Sequence, residues 1–148
     1  MQATEQNAQV RLVRHYPVAA EKIWSAWTDP QALMHWFGPT PETVATRAEI
    51  DLRVGGRYTI AFKSPDGEQN QVGGEYLEIE PNRRLVFNWA FHTTPERVSR
   101  ITITLAPVAG GTELTFVHDR FVDLQARNNH ERGWNAFFQQ LDRFMEAV

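Results

Sequence analysis

Hydrophobic and polar residues alternate along much of this chain, and turn residues interrupt the alternation at short intervals. Residues 10–16 alternate and end at Pro17, which predicts a first strand. Residues 19–27 have apolar side chains at helical spacing, so a short helix is expected there. Asp29-Pro30 then favours the start of a second short helix that reaches about Trp36, because aspartate caps helices and proline suits the first helical position.

Six further segments alternate with a period of two residues. They cover residues 43–52, 57–62, 71–80, 85–92, 100–105 and 113–118. The first of these segments has Val44, Ala48 and Ile50 on one face. Successive side chains of a strand point to opposite faces, so the six segments predict an antiparallel sheet with one buried face. Turns or bulges are predicted at the glycine pairs 55–56, 73–74 and 110–111.

The end of the chain changes to a helical period. One apolar stripe contains His130, Trp134, Phe137, Leu141, Phe144 and Val148. Asp123 is placed to cap a long helix that runs to Ala147. Gly133 interrupts this helix at a cost of about 1 kcal/mol relative to alanine, so we expect either close contact with the sheet or space for a ligand beside it.

The order of one strand, two short helices, six strands and one long helix predicts an α+β fold with two layers. A twisted sheet that curls around the long helix leaves space between the layers, and the two short helices would plug one end. Residues 1–9 are polar and are predicted to form a disordered tail, whereas residues 10–148 are predicted to form one domain.

The composition narrows the possible classes of function. The chain has 148 residues, of which 17 are aromatic (5 Trp, 9 Phe and 3 Tyr), so its core or cavity is expected to be rich in rings. The absence of cysteine excludes disulfides and cysteine nucleophiles. A net charge of −3 argues against a nucleic-acid partner. No apolar run is long enough to insert into a membrane or to form a signal peptide, so a cytoplasmic location is expected.

Six stretches of the chain carry a resemblance to a known superfamily. They are residues 23–30 (IWSAWTDP), 36–39 (WFGP), 51–58 (DLRVGGRY), 74–81 (GEYLEIEP), 84–87 (RLVF) and 111–115 (GTELT). In this order and spacing they resemble the START-like, or SRPBCC, superfamily, and most closely the activator of heat shock protein 90 ATPase homologue family. The resemblance implies a bacterial-type single-domain protein with the helix-grip fold. In that fold a curved antiparallel sheet of about six or seven strands wraps around a long C-terminal helix and encloses a cavity.

The resemblance leaves three functions open. The first is binding of an apolar or aromatic small molecule in the central cavity, as in other members of the superfamily. The second is a polyketide-cyclase-like enzyme with acid–base residues in the cavity. The third is a co-chaperone-like interaction module with a chaperone partner, although the eukaryotic co-chaperone resembles this chain only in its C-terminal domain. A homodimer is also open, and no cofactor is implied.

Three side chains are candidates for acid–base chemistry: His118, Glu75 and Tyr58. His118 lies on the apolar face of its predicted strand, and His130 begins the stripe of the long helix. Either histidine would serve as a general base or a ligand contact, or would be a satisfied core side chain. Glu75 shares a face with Leu77 if its strand is regular, and a bulge at the preceding glycines would turn it to solvent.

The aromatic positions are the stronger candidates for ligand contacts, because small-molecule pockets are mostly apolar. No metal site is expected, since the histidines lack the spacing of metal ligands. The residues predicted to line the cavity are Trp36, Phe37, Tyr58, Ile60, Phe62, Phe87, Trp89, Ile101, Phe116, His118, His130, Trp134 and Phe137.

Overall fold

The computed structural model describes residues 8–147. The predicted disorder of residues 1–7 and the predicted place of Val148 in the helical stripe lie outside this range. The elements are β1 (Val10–Tyr16), α1 (Ala20–Thr28), α2 (Pro30–Trp36), β2 (Val44–Ile50), β3 (Arg57–Lys63), β4 (Gln69–Glu80), β5 (Arg84–Phe91), β6 (Ser99–Val108), β7 (Gly111–Asp119) and α3 (Leu124–Glu146).

Within the described range, the strands form one sheet in the order β1-β7-β6-β5-β4-β3-β2, and every neighbouring pair is antiparallel. Strands β2 to β7 form a meander, and β1 is added beside β7. The predicted sheet is therefore confirmed, with seven strands. The sheet curls around α3, which has 23 residues and a length of about 34 Å at about 1.5 Å per residue.

Side-chain hydrogen bonds fix both ends of α3. The side chain of Asp123 accepts a hydrogen bond from the backbone N–H of Ala126 at 2.8 Å, so the predicted cap is confirmed. Near the other end, Asp142 accepts hydrogen bonds from the Tyr16 hydroxyl at 2.7 Å and from Nε of Arg14 at 3.3 Å. These contacts hold the C-terminal half of the helix against β1.

The two short helices cover one end of the sheet, as predicted. Asp29 caps α2 by accepting from the backbone N–H of Gln31 at 2.9 Å, with proline in the first turn. The indole N–H of Trp36 donates to the carbonyl of Ala26 in α1 at 2.8 Å. The ring of Trp36 also lies edge-on to that of Trp27, with 4.9 Å between ring centroids, so the two helices are joined by a hydrogen bond and a ring contact.

A bulge corrects the predicted face of β2. The pairing of β2 with β3 shifts between Ala45 and Arg47. Ala45 is consequently buried, whereas Val44 is 59% exposed and Ala48 and Ile50 are half-buried. The prediction that Val44 shares a face with Ala48 and Ile50 was wrong, because the extra residue of a bulge changes which side chains point inward.

The glycines of β4 are neither a turn nor a bulge, contrary to prediction. Gly73 and Gly74 lie inside the strand, opposite Thr59 and Tyr58 of β3. A Cβ atom on Gly74 would overlap the carbonyl oxygen of Asn88 in β5, so the strands approach too closely there for a side chain. The shift in the pairing of β4 with β5 comes later in the strand.

Candidate functional site

The interior beneath the short helices is filled with side chains. A cavity of only about 20 Å³ lies there, which is space for about one water molecule. Its walls are formed by Trp27, Leu33, Phe37, Tyr58, Ile60, Tyr76, Phe87 and Trp89. Two larger spaces that adjoin each other lie beside the N-terminal half of α3.

One of these spaces is an apolar cavity of about 160 Å³ between α3 and strands β3 and β5. We call it the apolar cleft. Its lining residues are Phe62, Trp89, Phe91, Asn129, His130, Gly133, Trp134 and Phe137. A Cβ atom built on Gly133 would meet no other atom within 4 Å. Of the two explanations predicted for this glycine, the structure therefore excludes close contact with the sheet and leaves open space.

A second cavity, of about 410 Å³, adjoins the cleft at the start of α3. We call it the polar chamber, because hydroxyl, amide and charged groups form much of its wall. Its lining residues are Trp89, Ala90, Phe91, Thr94, Arg97, Ser99, Phe121, Val122, Asp123, Gln125, Ala126, Asn129 and His130. Trp89, Phe91, Asn129 and His130 line both spaces, so these four side chains form the boundary between them.

His130 is held at this boundary in its neutral form. Its Nε2 accepts a hydrogen bond from the indole N–H of Trp89 at 3.2 Å, and its Nδ1 lies 2.8 Å from the carbonyl oxygen of Ala126. An indole nitrogen only donates and a carbonyl only accepts, so the ring carries its proton on Nδ1. Burial lowers the pKa of His130, which agrees with a neutral ring.

His118 lies in the core of the protein with both ring nitrogens occupied. Its Nδ1 accepts from the indole N–H of Trp134 at 2.9 Å, so the proton must be on Nε2. Nε2 then donates to the Ser99 hydroxyl oxygen at 2.6 Å, and that hydroxyl donates to the carbonyl of Trp89 at 3.2 Å. Burial lowers the pKa of His118 well below its usual value, and the nearby His130 adds to this effect.

This chain of hydrogen bonds decides what His118 can do chemically. A histidine that activates a serine must accept the hydroxyl proton on an unprotonated nitrogen. Here the nitrogen that faces Ser99 already carries a proton, because Trp134 occupies the other nitrogen. In this arrangement His118 serves as a satisfied core side chain that links the sheet to α3.

The other two acid–base candidates lie apart from His118. Tyr58 borders the 20 Å³ cavity, and its hydroxyl donates to the carbonyl of Asn88 at 2.6 Å. Burial raises the pKa of Tyr58 well above its usual value. Glu75 is half-buried on the opposite face of β4 from the buried Tyr76. Neither Tyr58 nor Glu75 lines the cleft or the chamber.

The strand pattern of β4 explains the position of Glu75. Val72, Gly74 and Tyr76 face inward, so Glu75 faces outward without any bulge at the glycines. The shift in pairing lies after Tyr76 and leaves Leu77 37% exposed. Of the two orientations left open for Glu75, the outward one is therefore observed, and it results from the regular alternation of β4 rather than from a bulge at the glycines.

The predicted cavity residues fall into three groups. Those that line the apolar cleft are Phe62, Trp89, His130, Trp134 and Phe137. Those that border the 20 Å³ cavity but neither the cleft nor the chamber are Phe37, Tyr58, Ile60 and Phe87. Those that are buried without lining any of these three spaces are Trp36, Ile101, Phe116 and His118.

Sequence reasoning did not place the polar chamber. Its walls come from the loop between β5 and β6, including Thr94 and Arg97, and from the first turns of α3, including Gln125 and Asn129. Loop residues have no periodic pattern that would point inward. The only sequence signal was the chain length of this loop, which does not specify which side chains meet α3.

Two further observations bear on the kind of site. Among residues 8–147, no three His, Asp or Glu side chains come together in a geometry that would hold a metal ion. No helix in the same part of the chain is long and apolar enough to cross a membrane.

A sheet wrapped around a long C-terminal helix, with space beside that helix, defines the helix-grip fold of START-like proteins. The family model described as "Activator of Hsp90 ATPase homolog 1-like protein" matches residues 17–146, so the chain belongs to that family. The resemblance predicted from the sequence is therefore confirmed.

Individual relatives agree with this assignment. A crystal structure of a protein from Chromobacterium violaceum is 32% identical, with a TM-score of 0.83 and coverage of 94% of this chain and 97% of that one. The solution structure of an AHSA1-like protein from Aeromonas hydrophila has a TM-score of 0.80 at 23% identity and covers 94% and 92% of the two chains. The human Activator of 90 kDa heat shock protein ATPase homolog 1 is 25% identical over 133 residues. That match covers 89% of this chain but only 35% of the human protein.

Proposed function

We propose that this protein binds an apolar or aromatic small molecule in the apolar cleft. The observation that carries the proposal is Gly133, which faces open space inside a wall of aromatic rings. The cleft has a volume of about 160 Å³. An engineered protein cavity of about 150 Å³ is large enough to bind benzene, so the cleft can hold an apolar group about the size of one aromatic ring.

The energetics of the cleft support binding over a filled core. A glycine inside a helix costs about 1 kcal/mol relative to alanine. The methyl group of an alanine at position 133 would meet no other atom, so packing does not require glycine there. Apolar space left next to Trp134 and Phe137 also forfeits contacts that a larger side chain would make. A ligand in the cleft would recover those contacts.

Thermal unfolding with 4-phenyl-1-butanol, a neutral one-ring probe, tests the proposal. A ligand that binds only the folded state stabilises it by RT ln(1 + [L]/Kd), which is about 1.4 kcal/mol at tenfold excess over Kd. For a domain of this size, that corresponds to a rise in Tm of roughly 3–6 °C. We expect this rise in the wild type and its loss in Gly133→Leu, whose side chain would occupy the cleft.

Gln139→Leu is the matched control, because it adds the same side chain to the exposed side of the same helix. This variant is expected to keep the full rise in Tm. No rise in the wild type up to the solubility limit of the probe would overturn the proposal. An equal rise in Gly133→Leu would place the binding outside the cleft and would also overturn it.

A second candidate function is interaction with a heat shock ATPase, as the printed name of the human relative suggests for that protein. An exposed apolar surface favours this function. Val54 is 64% exposed, and Leu52 and Leu77 are also exposed. The backbone N–H of Gly55 donates to the carbonyl of Tyr76 at 2.9 Å, so the turn that carries Val54 lies beside β4. Addition of this protein to purified Hsp90 would then raise its ATPase rate, and Val54→Asp would abolish the increase. An unchanged rate with the wild type would exclude this function.

A further inference from the structure

The shape of the site indicates the chemistry of a second, polar part of the ligand as well as that of its apolar part. The apolar cleft holds about one ring, and it is bounded by the same Trp89, Phe91, Asn129 and His130 that bound the larger polar chamber. A molecule bigger than one ring that extends past these four side chains would enter the chamber. The chemistry of the chamber wall then selects the second part of the ligand.

The inner polar groups of the chamber are already occupied. Both ring nitrogens of His130 have partners, and one of these partners is the indole N–H of Trp89. The Ser99 hydroxyl donates its proton to the carbonyl of Trp89 and accepts from His118. These groups stabilise the protein itself and have no proton left to donate to a ligand.

The outer wall, in contrast, has free donors. Within residues 8–147, the side chains of Thr94, Arg97 and Gln125 make no hydrogen bond. The side-chain oxygen of Asn129 accepts from Arg132, which leaves the amide N–H groups of Asn129 available as donors. The wall therefore offers one guanidinium, two amide groups and one hydroxyl, and the guanidinium carries a full positive charge.

One acidic side chain also lines the chamber, and it is already engaged by the backbone of α3. Asp123 caps α3 through a hydrogen bond from the backbone N–H of Ala126, where the positive end of the helix dipole favours a carboxylate. Arg97 has no such partner within the described residues. The charged side chain of the chamber wall that has no partner in this part of the chain is therefore a cation.

We infer that the natural ligand is a small monocarboxylate, with its apolar body in the cleft and its carboxylate against Arg97 in the chamber. This inference rests on the proposed function and adds to it the chemical class of the ligand. A guanidinium suits a carboxylate because its N–H groups match the two oxygens, and the amides of Asn129 and Gln125 would complete the set of donors.

Three probes that differ only in their head group test the inference by calorimetric titration at pH 7. They are 4-phenylbutyrate, 4-phenyl-1-butanol and 4-phenylbutylamine. We expect the carboxylate to bind about fivefold more tightly than the alcohol, and the amine to bind most weakly. Arg97→Gln is expected to bring the carboxylate to within about twofold of the alcohol, whose Kd stays unchanged.

Arg83→Gln is the matched control, because Arg83 is an exposed arginine in the turn between β4 and β5 and lines neither space. It is expected to leave the preference for the carboxylate intact. If the alcohol binds and the carboxylate binds no more tightly, or if Arg97→Gln leaves the preference unchanged, the inference is wrong and the proposed function stands. If none of the three probes binds, both are wrong. If Gly133→Leu leaves the Kd of the carboxylate unchanged, the apolar body does not occupy the cleft, and both are again wrong.

Discussion

The indole N–H of Trp134 donates a hydrogen bond to Nδ1 of His118 across 2.9 Å, in the core between α3 and β7. This contact joins the long helix to the sheet through two buried side chains. It also holds His118 neutral, with its proton directed at Ser99. Several measurable properties of the protein depend on this pair.

The first is the dependence of stability on pH. Burial lowers the pKa of His118 well below its usual value of about 6.5, which the unfolded chain retains. As the pH falls below about 6.5, the unfolded state therefore binds a proton that the folded state does not, and stability is lost. Between pH 7.0 and pH 5.5 we expect His118 to reduce the free energy of unfolding by about 1.2 kcal/mol. Urea denaturation at both pH values measures this change.

Comparison of two variants isolates the contribution of His118. In His118→Gln the loss of stability between the two pH values is expected to be smaller by about 1 kcal/mol, even if the variant is less stable overall. His35→Gln, at an exposed site on α2, is expected to behave as the wild type does. An identical pH dependence in all three proteins would contradict the neutral, buried state of His118.

Two substitutions of Trp134 separate the contribution of its ring to the free energy of unfolding from the contribution of its hydrogen bond. The side chain is 2% exposed and packs against Phe116 and Trp89, with ring centroids 4.6 and 5.0 Å away. Trp134→Ala is expected to cost about 3–5 kcal/mol by chemical denaturation. Trp134→Phe keeps much of the ring but leaves Nδ1 of His118 without a donor, so a cost of about 1–3 kcal/mol is expected. A cost under about 1 kcal/mol for Trp134→Ala would contradict the close packing of its ring against Phe116 and Trp89.

Alanine at two glycines is expected to have opposite effects. At Gly133 the new methyl group meets no atom and the helix gains propensity, so Gly133→Ala should stabilise the protein by about 0.5–1 kcal/mol. At Gly74 the methyl group would overlap the carbonyl of Asn88, so Gly74→Ala should destabilise the protein by about 1–3 kcal/mol. Thermal and urea unfolding of the two variants give the signs directly. Destabilisation by Gly133→Ala would mean that the cleft is filled.

The contact between β1 and the end of α3 provides another test. The Tyr16 hydroxyl donates to Asp142 at 2.7 Å and is mostly buried. Tyr16→Phe removes this hydrogen bond and little else, so a loss of about 0.5–1.5 kcal/mol is expected. Asparagine at position 142 removes the negative charge but keeps a side-chain oxygen that can accept from the Tyr16 hydroxyl. Asp142→Asn should therefore reduce the free energy of unfolding less than Tyr16→Phe does. The reverse order would show that the ion pair with Arg14 dominates.

Most of the fold was predictable because each element carries its own local signal. Asp123 and Asp29 cap the helices that follow them, as their positions before apolar periodic segments indicated. The prediction of the inner face failed at β2, where a one-residue bulge changes which side chains point inward. At β4 the predicted bulge at the glycines is absent, and the pairing shifts after Tyr76 instead. A bulge has no signature of its own in the alternation, because it depends on how the neighbouring strand pairs.

The candidate site was predictable only in part. Trp134 and Phe137 were expected on the inner side of α3 from helical spacing alone, whereas Trp36 and Phe116 were expected in the cavity and pack in the core instead. The spacing of apolar residues along a helix or strand identifies which of its faces is buried. It does not tell whether a buried ring borders a neighbour or an empty space, since that depends on the distance between the layers.

The sequence by itself determined the order of the elements and the large number of rings in the interior, because periodicity, caps and turn residues act over a few neighbouring positions. The family followed from the resemblance of short stretches of the sequence to a known family. Only the tertiary structure decided which rings fill the core and which line the cleft at Gly133. It alone brought Arg97 of a loop to the same chamber as His130 of α3, and it alone gave His118 its hydrogen-bond partners. These relationships join residues that are far apart in the chain, so they depend on the curvature of the sheet and its distance from the helix.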